Sequence, residues 1–122
     1  MRTVLAFGTF DLYHPGHDFF LAEAAALGDE LHVSVARDEH VKQLKQHIPS
    51  RNQEQRMATV RRHLSVTHVH LSDQTLGTYQ LVQKIKPDVI ALGHDQHGLA
   101  ADLERWIKEN GWQGRIVQIE KK

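Results

Sequence analysis

The chain has 122 residues, with 15 basic and 15 acidic side chains, ten histidines and no cysteine. This is the length of one ordinary domain, and the zero net charge argues against a dedicated nucleic-acid-binding protein, which would carry a basic excess. The lack of cysteine excludes disulfides, thiolate catalysis and Cys-ligated zinc. The apolar run over residues 3–7 is too short for a signal peptide or a membrane span. We therefore expect a cytoplasmic protein with no nucleic-acid or membrane partner.

The charges are unevenly distributed along the chain. Residues 1–36 contain one base and five acids, whereas residues 37–62 contain seven bases and three acids. The basic segment is either a solvated helix face or a local site for a small anionic ligand.

Apolar runs and helical stretches alternate along the whole chain. Five short runs rich in Val, Ile and Leu predict β-strands: Thr3–Phe7, Leu31–Ala36, His68–Leu71, Asp88–Leu92 and Arg115–Ile119. Helices are predicted at residues 17–27, from 50 to about 64, at 76–85 and at 99–110. The second of these helices opens with Ser50-Arg51-Asn52-Gln53, which has the pattern of a capping box. Residues 37–49 are predicted as a longer connection with room for one helical turn.

This alternation predicts successive βαβ units, and therefore a single α/β domain with a five-stranded parallel sheet and helices on both faces. Ligands of such sheets bind beyond the carboxyl ends of the strands. Three segments that follow predicted strands carry polar residues and glycines: Gly8 to His17, Arg37-Asp38 and Gly93 to Gln96.

The segment from Gly8 to His17 (Gly-Thr-Phe-Asp-Leu-Tyr-His-Pro-Gly-His) carries the clearest chemical signal. Gly8 allows a sharp turn and a close approach to a ligand. His14 and His17 are three residues apart, so both can face one side of a helix N-terminus, where free N–H groups favour phosphate. The chain contains no Gly-x-Ser-x-Gly motif, and phosphoryl-type transfer requires no covalent nucleophile.

The pattern Gly-Thr-Phe-Asp-x-x-His-x-Gly-His, directly after the first strand, resembles the signature of the cytidylyltransferase-like nucleotidyltransferases. This family includes glycerol-3-phosphate cytidylyltransferases, pantetheine-phosphate adenylyltransferases and archaeal-type FAD synthetases. Residues 27–31, 35–38 and 49–56 are similar to further parts of its pattern, and residues 86–96 are similar to the FAD synthetase branch. The resemblance implies a Rossmann-like nucleotidyltransferase domain over residues 1–122, with strand order 3-2-1-4-5.

The resemblance also implies roles for individual residues. His14 and His17 would bind the nucleotide phosphates and stabilise charge on the α-phosphate, while Lys42 or Lys45, with Arg56, would hold phosphate groups. The binding residues would be Gly8, Thr9, Phe10, Asp11, Gly16, Asp38, Gly93, His94, Asp95 and Gln96. Within this set, Asp11 would position the phosphates, magnesium or the acceptor, and Asp38 and Asp95 would border the pockets.

The implied reaction is attack by an acceptor phosphate on the α-phosphate of ATP or CTP, with release of pyrophosphate and with Mg²⁺ neutralising the leaving group. The acceptor is a phosphorylated small molecule, and FMN with ATP is the first pair that we expect. Glycerol 3-phosphate with CTP is the alternative, although Thr67 stands where the cytidylyltransferase branch has aspartate. No protein metal ligand is assigned. Family members often form homodimers, so a homodimer is a further expectation.

Family members usually continue beyond the fifth strand with an Ile-Ser-Ser/Thr-Thr-type motif that contacts the triphosphate. The sequence ends at Lys122 without this motif. A second hypothesis is therefore a nucleotide-binding or regulatory module with weak or no turnover. A third is a histidine-based metal-binding protein, because His68 and His70 fall on one face of a strand. Polar residues on a partly covered strand are the commoner explanation of that pair.

The remaining histidines carry weaker signals. His94 and His97 are expected to line the pocket. Isolated histidines are expected at the surface, namely His32, His40, His47 and His63. For His14 and His17, the alternative to phosphate binding is that they only cap a helix.

Overall fold

Five parallel strands form the centre of the protein in the computed structural model, which describes residues 1–120. The strands are β1 (Thr3–Gly8), β2 (Glu30–Val35), β3 (His68–Leu71), β4 (Val89–Gly93) and β5 (Arg115–Ile119). They lie in the order β3-β2-β1-β4-β5, with every pairing parallel. This confirms the predicted α/β class and strand order. Because β1 lies between β2 and β4, its carboxyl end is at the point where the strand order reverses.

Five helices connect the strands: α1 (Pro15–Ala25), α2 (Asp38–Lys45), α3 (Gln53–Arg61), α4 (Gln80–Ile85) and α5 (His97–Asn110). Helix α2 corrects the prediction of a connection with at most one turn. Its first turn contains Asp38 and Glu39 and its last turn contains Lys42 and Lys45, so its charges complement the helix dipole. Among residues 1–120, no helix has the length and apolar character needed to cross a membrane.

The predicted capping box at Ser50 is wrong by two residues. Helix α3 is capped by Asn52, whose side chain accepts from the backbone N–H of Gln55, and the Gln55 side chain accepts in return from the N–H of Asn52. The N–H of Ser50 donates instead to the Asp11 carboxylate. Ser50 and Asn52 are both good N-cap residues, so the sequence allows a helix to begin after either. The contact of Ser50 with the distant Asp11 accompanies the choice of Asn52.

The core has two halves, one on each face of the sheet. Alternate residues of β1 enter different halves: Val4 and Ala6 pack towards α1 and α3, and Leu5 packs towards α4 and α5. Because both faces are covered, the central strands have near-continuous apolar sequences. The polar segments at the carboxyl ends of β1 and β4 therefore extend from strands that are packed on both faces.

Candidate active site

Two adjoining cavities open at the carboxyl ends of the strands, where the sequence predicts a site. The first has a volume of about 550 Å³ and the second about 320 Å³, sizes typical of small-molecule sites. The residues that line both cavities are Phe7, Gly8, Thr9, Lys45, Asp95 and Gln96. A ligand in one cavity would therefore meet a ligand in the other at the end of β1.

The structure brings most of the predicted site residues together in the first cavity. Its lining contains Gly8, Thr9, Phe10, Asp11, His14, Gly16, His17, Lys45, Gly93, His94, Asp95 and Gln96. Four other predicted residues line neither cavity: Asp38, Lys42, Arg56 and His97. Of the two candidate lysines of α2, only Lys45 reaches the site, because residues three apart on a short helix differ in distance from the sheet edge.

His14 and His17 form a reciprocal cap at the start of α1. His14 is the N-cap residue, and its Nδ1 accepts from the N–H of Gly16 at 3.0 Å. The Nδ1 of His17 accepts from the N–H of His14 at 3.2 Å. The two rings are stacked, with centroids 3.9 Å apart. The capping interpretation and the ligand-site interpretation are thus compatible, because the same two rings cap α1 and line the cavity.

This cap determines which ring nitrogen of each histidine carries a proton. A nitrogen that accepts a hydrogen bond has no proton, so the neutral rings of His14 and His17 carry theirs on Nε2. Burial lowers the pKa of His17, and the charges of His14 and Lys45 lower it further against the opposing effect of Asp95 and Asp11. With Nδ1 of each ring engaged in the cap, each histidine has its Nε2–H as the donor that can meet a ligand.

Glycines next to the histidines make room for aromatic rings. A Cβ on Gly8 would lie 2.5 Å from Cε2 of Phe10, and a Cβ on Gly16 would lie 2.7 Å from Cε1 of His14. Phe10 is buried, has a φ of 57°, and packs against the ring of His17 with centroids 5.4 Å apart. A positive φ is strained for a residue with a side chain. The surrounding packing therefore enforces this turn at the end of β1.

Arg56 lies beneath the site rather than in it. Its guanidinium is fully buried and donates to Asp38 Oδ1 at 2.6 Å, to the carbonyl of Thr9 at 2.8 Å and to the carbonyl of Arg51 at 3.0 Å. Asp38 also accepts from the N–H of Gln53. These contacts join the turn after β1 to the starts of α2 and α3. In this structure Arg56 and Asp38 support the site from below by fixing the position of the turn that contains Thr9.

Asp11 lines the first cavity but is engaged with the chain. Its two carboxylate oxygens accept from the backbone N–H groups of Ser50 and Arg51, at 2.8 and 2.9 Å. Burial would raise the pKa of Asp11, yet these two bonds and the nearby charge of Arg56 together lower it. Asp11 therefore stays ionised and ties the turn after β1 to the segment before α3.

The second cavity contains residues that the sequence analysis did not select. Apolar side chains form much of its lining: Phe7, Val41, Leu44, Leu76, Tyr79 and Leu99. Ser34 also lines it, and the hydroxyl of this buried residue has no hydrogen-bond partner among residues 1–120. Buried polar atoms normally have partners, so this hydroxyl is a place for a polar ligand atom. One signal was available in the sequence: Ser34 stands between two valines in β2.

The family model described as cytidylyltransferase-like matches residues 5–121, and this chain belongs to that family. The chain is 40% identical to the FAD synthase of Methanococcoides burtonii over 120 residues, which cover 98% of this chain and 82% of the relative. It is 42% identical to the FAD synthase of Methanosarcina barkeri over 119 residues, covering 98% and 84%.

A solved structure, described as the lipopolysaccharide core biosynthesis protein from Thermoplasma volcanium, has the same fold. It superposes with a TM-score of 0.91 at 36% identity and covers 100% of this chain and 98% of its own. The predicted family and the nucleotidyltransferase class are confirmed by these matches. The roles of single residues stay predictions, argued below from the geometry.

Proposed function

We propose that this protein is an FMN adenylyltransferase that transfers AMP from ATP to FMN and releases pyrophosphate. One observation carries the proposal: two cavities of different character meet at Lys45, beside the capped N-terminus of α1. The similarity to archaeal FAD synthases along nearly the whole chain supports it.

The first cavity suits the triphosphate. The Nε2–H groups of His14 and His17 donate to phosphate oxygens, and the N-terminus of α1 adds its partial positive charge. As an oxygen of the acceptor phosphate attacks the α-phosphorus, the bond from that phosphorus to the pyrophosphate oxygen breaks. Lys45 lines both cavities, so its ammonium group contacts attacking and attacked phosphates together. Donors held in place before the reaction stabilise the developing charge without reorganisation.

The second cavity suits a large, flat and mostly apolar acceptor. The isoalloxazine ring of FMN packs against the apolar lining, and one of its polar edge atoms pairs with the hydroxyl of Ser34. Glycerol 3-phosphate is small and polar, and would leave this apolar surface in contact with water. The shape of the cavity therefore favours FMN over the glycerol 3-phosphate alternative.

Asp95 is the residue that fits a magnesium ion arriving with the nucleotide. Asp95 lines both cavities, whereas the carboxylate of Asp11 is occupied by backbone donors. Magnesium is usually held by one or two carboxylates together with substrate phosphates. When bound there it would neutralise charge on the departing pyrophosphate.

The test is pyrophosphate release and FAD formation by the purified chain, with ATP or CTP against a panel that contains FMN, glycerol 3-phosphate and phosphopantetheine. We expect turnover with ATP and FMN. Lys45→Met should reduce kcat at least tenfold, and Lys42→Met, three residues away on the same helix, is the matched control and should behave as wild type. Ser34→Ala should raise the KM for FMN and leave the KM for ATP unchanged. Nucleotide binding without turnover on any acceptor would overturn the proposal in favour of a binding module.

A further inference from the structure

A second group of chemically active side chains lies on strands β2 and β3, outside both cavities. It consists of Glu30, His32, His68 and His70, which we call the histidine cluster. The sheet register places His32 opposite His68, and Ser34 opposite His70. Glu30 begins β2 and is four residues from Ser34, which lines the second cavity; four residues span about 13 Å along a strand.

The four side chains converge because of the two-residue period of a strand. Glu30 and His32 lie on one face of β2, and the paired positions on β3 put His68 and His70 on the same face. His32 Nε2 is 2.8 Å from Glu30 Oε1, and His32 Nδ1 is 2.8 Å from His70 Nε2. One ligand atom from each of Glu30, His32 and His68 lies within 4.8 Å of the others.

We infer that the histidine cluster is a binding site for a divalent transition-metal ion of the zinc, nickel or cobalt type. Glu30, His32 and His68 supply one carboxylate oxygen and two imidazole nitrogens, and water fills the remaining positions. Two nitrogens and one oxygen favour such ions over magnesium, which prefers oxygen alone. The site is therefore separate in place and in chemistry from the nucleotide site.

His70 supports this assignment as the residue that orients a ligand. A histidine that binds metal through one ring nitrogen usually donates its other N–H to an acceptor nearby. If His32 binds through Nε2, its Nδ1–H points at Nε2 of His70 across the observed 2.8 Å. The same strand pairing that brings His68 beside His32 holds His70 in this position, so its ring nitrogen can accept that proton. Without metal, His32 Nε2–H donates to Glu30. The bond between His32 and His70 then runs the other way, with His70 Nε2–H donating to His32 Nδ1.

The position of the cluster indicates what the ion would do. β3 has four residues and a single paired neighbour, β2. An ion held by side chains of both strands would fasten this edge strand to the sheet. His68 is exposed, and Glu30 and His32 are half-buried, so an ion can enter from solvent. An ion bound only by the folded chain raises the stability of that chain.

The test uses the full chain, prepared without a histidine tag and freed of metal with a chelator. Calorimetric titration with Zn²⁺ and with Ni²⁺ at pH 7.5 should show one ion per chain, unaffected by millimolar Mg²⁺, and Zn²⁺ should raise Tm. His68→Gln and Glu30→Gln should each weaken binding by at least about tenfold, because the loss of even an outer-shell partner of a metal ligand typically costs 10–100-fold in affinity, and each should abolish the Tm rise. His47→Gln, which changes another exposed histidine, is the matched control and should bind as wild type.

A second background separates this site from the histidines of the candidate active site. The double variant His14→Ser/His17→Gln should retain stoichiometric Zn²⁺ binding. The inference is overturned if wild type binds no ion stoichiometrically, or if His68→Gln and Glu30→Gln bind as tightly as wild type. It is also overturned if binding disappears in the double variant. The inference does not depend on the proposed function, and His68→Gln should leave nucleotidyl transfer unchanged.

Discussion

Replacing His14 by serine or by alanine separates the two tasks of this residue. As N-cap of α1, His14 accepts from the N–H of Gly16, and the same residue lines the first cavity. Serine is a preferred N-cap residue, so His14→Ser keeps the cap, but its short side chain cannot also reach a phosphate. His14→Ala removes both functions.

The two variants should therefore agree in activity and differ in stability. Loss of a preorganised donor costs about 10²–10³ in kcat, so both variants should lose about that factor in FAD formation. Loss of an N-cap costs about 1 kcal/mol, so urea denaturation should find His14→Ala about 1 kcal/mol less stable than His14→Ser. His14→Ser itself should be close to wild type in stability.

The contributions of His14 to activity and to stability can be refuted independently. Wild-type kcat in His14→Ser would show that the imidazole contributes nothing to transfer beyond its cap. Equal unfolding free energies for the two variants would show that the cap contributes nothing to stability. Circular dichroism should match wild type in both, because α1 is also held by Leu21 and Ala24, which are buried in the core.

Three further outcomes follow from the geometry. Arg56→Met should lower the unfolding free energy by about 3 kcal/mol in urea titrations, because it leaves buried carbonyls without their charged donor; unchanged stability would refute its supporting role. Gly8→Ala should cost about 1–3 kcal/mol by the same measurement, since its Cβ meets the ring of Phe10, and a neutral result would show that Phe10 moves freely. The lowered pKa of His17 means that below about pH 6.5 the unfolded chain binds more protons than the folded chain. Stability should therefore fall as pH drops from 7.5 towards 5, and less steeply in His17→Gln; the same slope in this variant as in the control His47→Gln would contradict the assignment.

Local features of the sequence predicted the fold well. Strands β3 and β5 begin and end where the apolar runs do, because a short run of branched residues between polar segments has one stable arrangement in a covered sheet. The connection before α3 was predicted less well. Residues 37–49 contain only three large apolar residues, Val41, Leu44 and Ile48, although these have helical spacing. The start of α2 is also held by Asp38, which bonds with Arg56 and Gln53, 18 and 15 residues away.

The motif from Gly8 to His17 also determined most of the site by itself. These residues are contiguous, so a strand, a turn and a helix N-terminus place them together whatever the rest of the chain does. The proton positions on His14 and His17 follow from the same local cap.

Tertiary structure alone decided the rest, because it depends on contacts between distant residues. Arg56 has the charge of a phosphate ligand, but its contact with the carbonyl of Thr9 spans 47 positions and places it beneath the site. His32 stands alone in the sequence, and only the pairing of β2 with β3 brings it to His68 and His70. Spacing along the chain shows which residues share a strand face. Sheet register, which depends on the packing of both faces, decides which residues of neighbouring strands lie side by side.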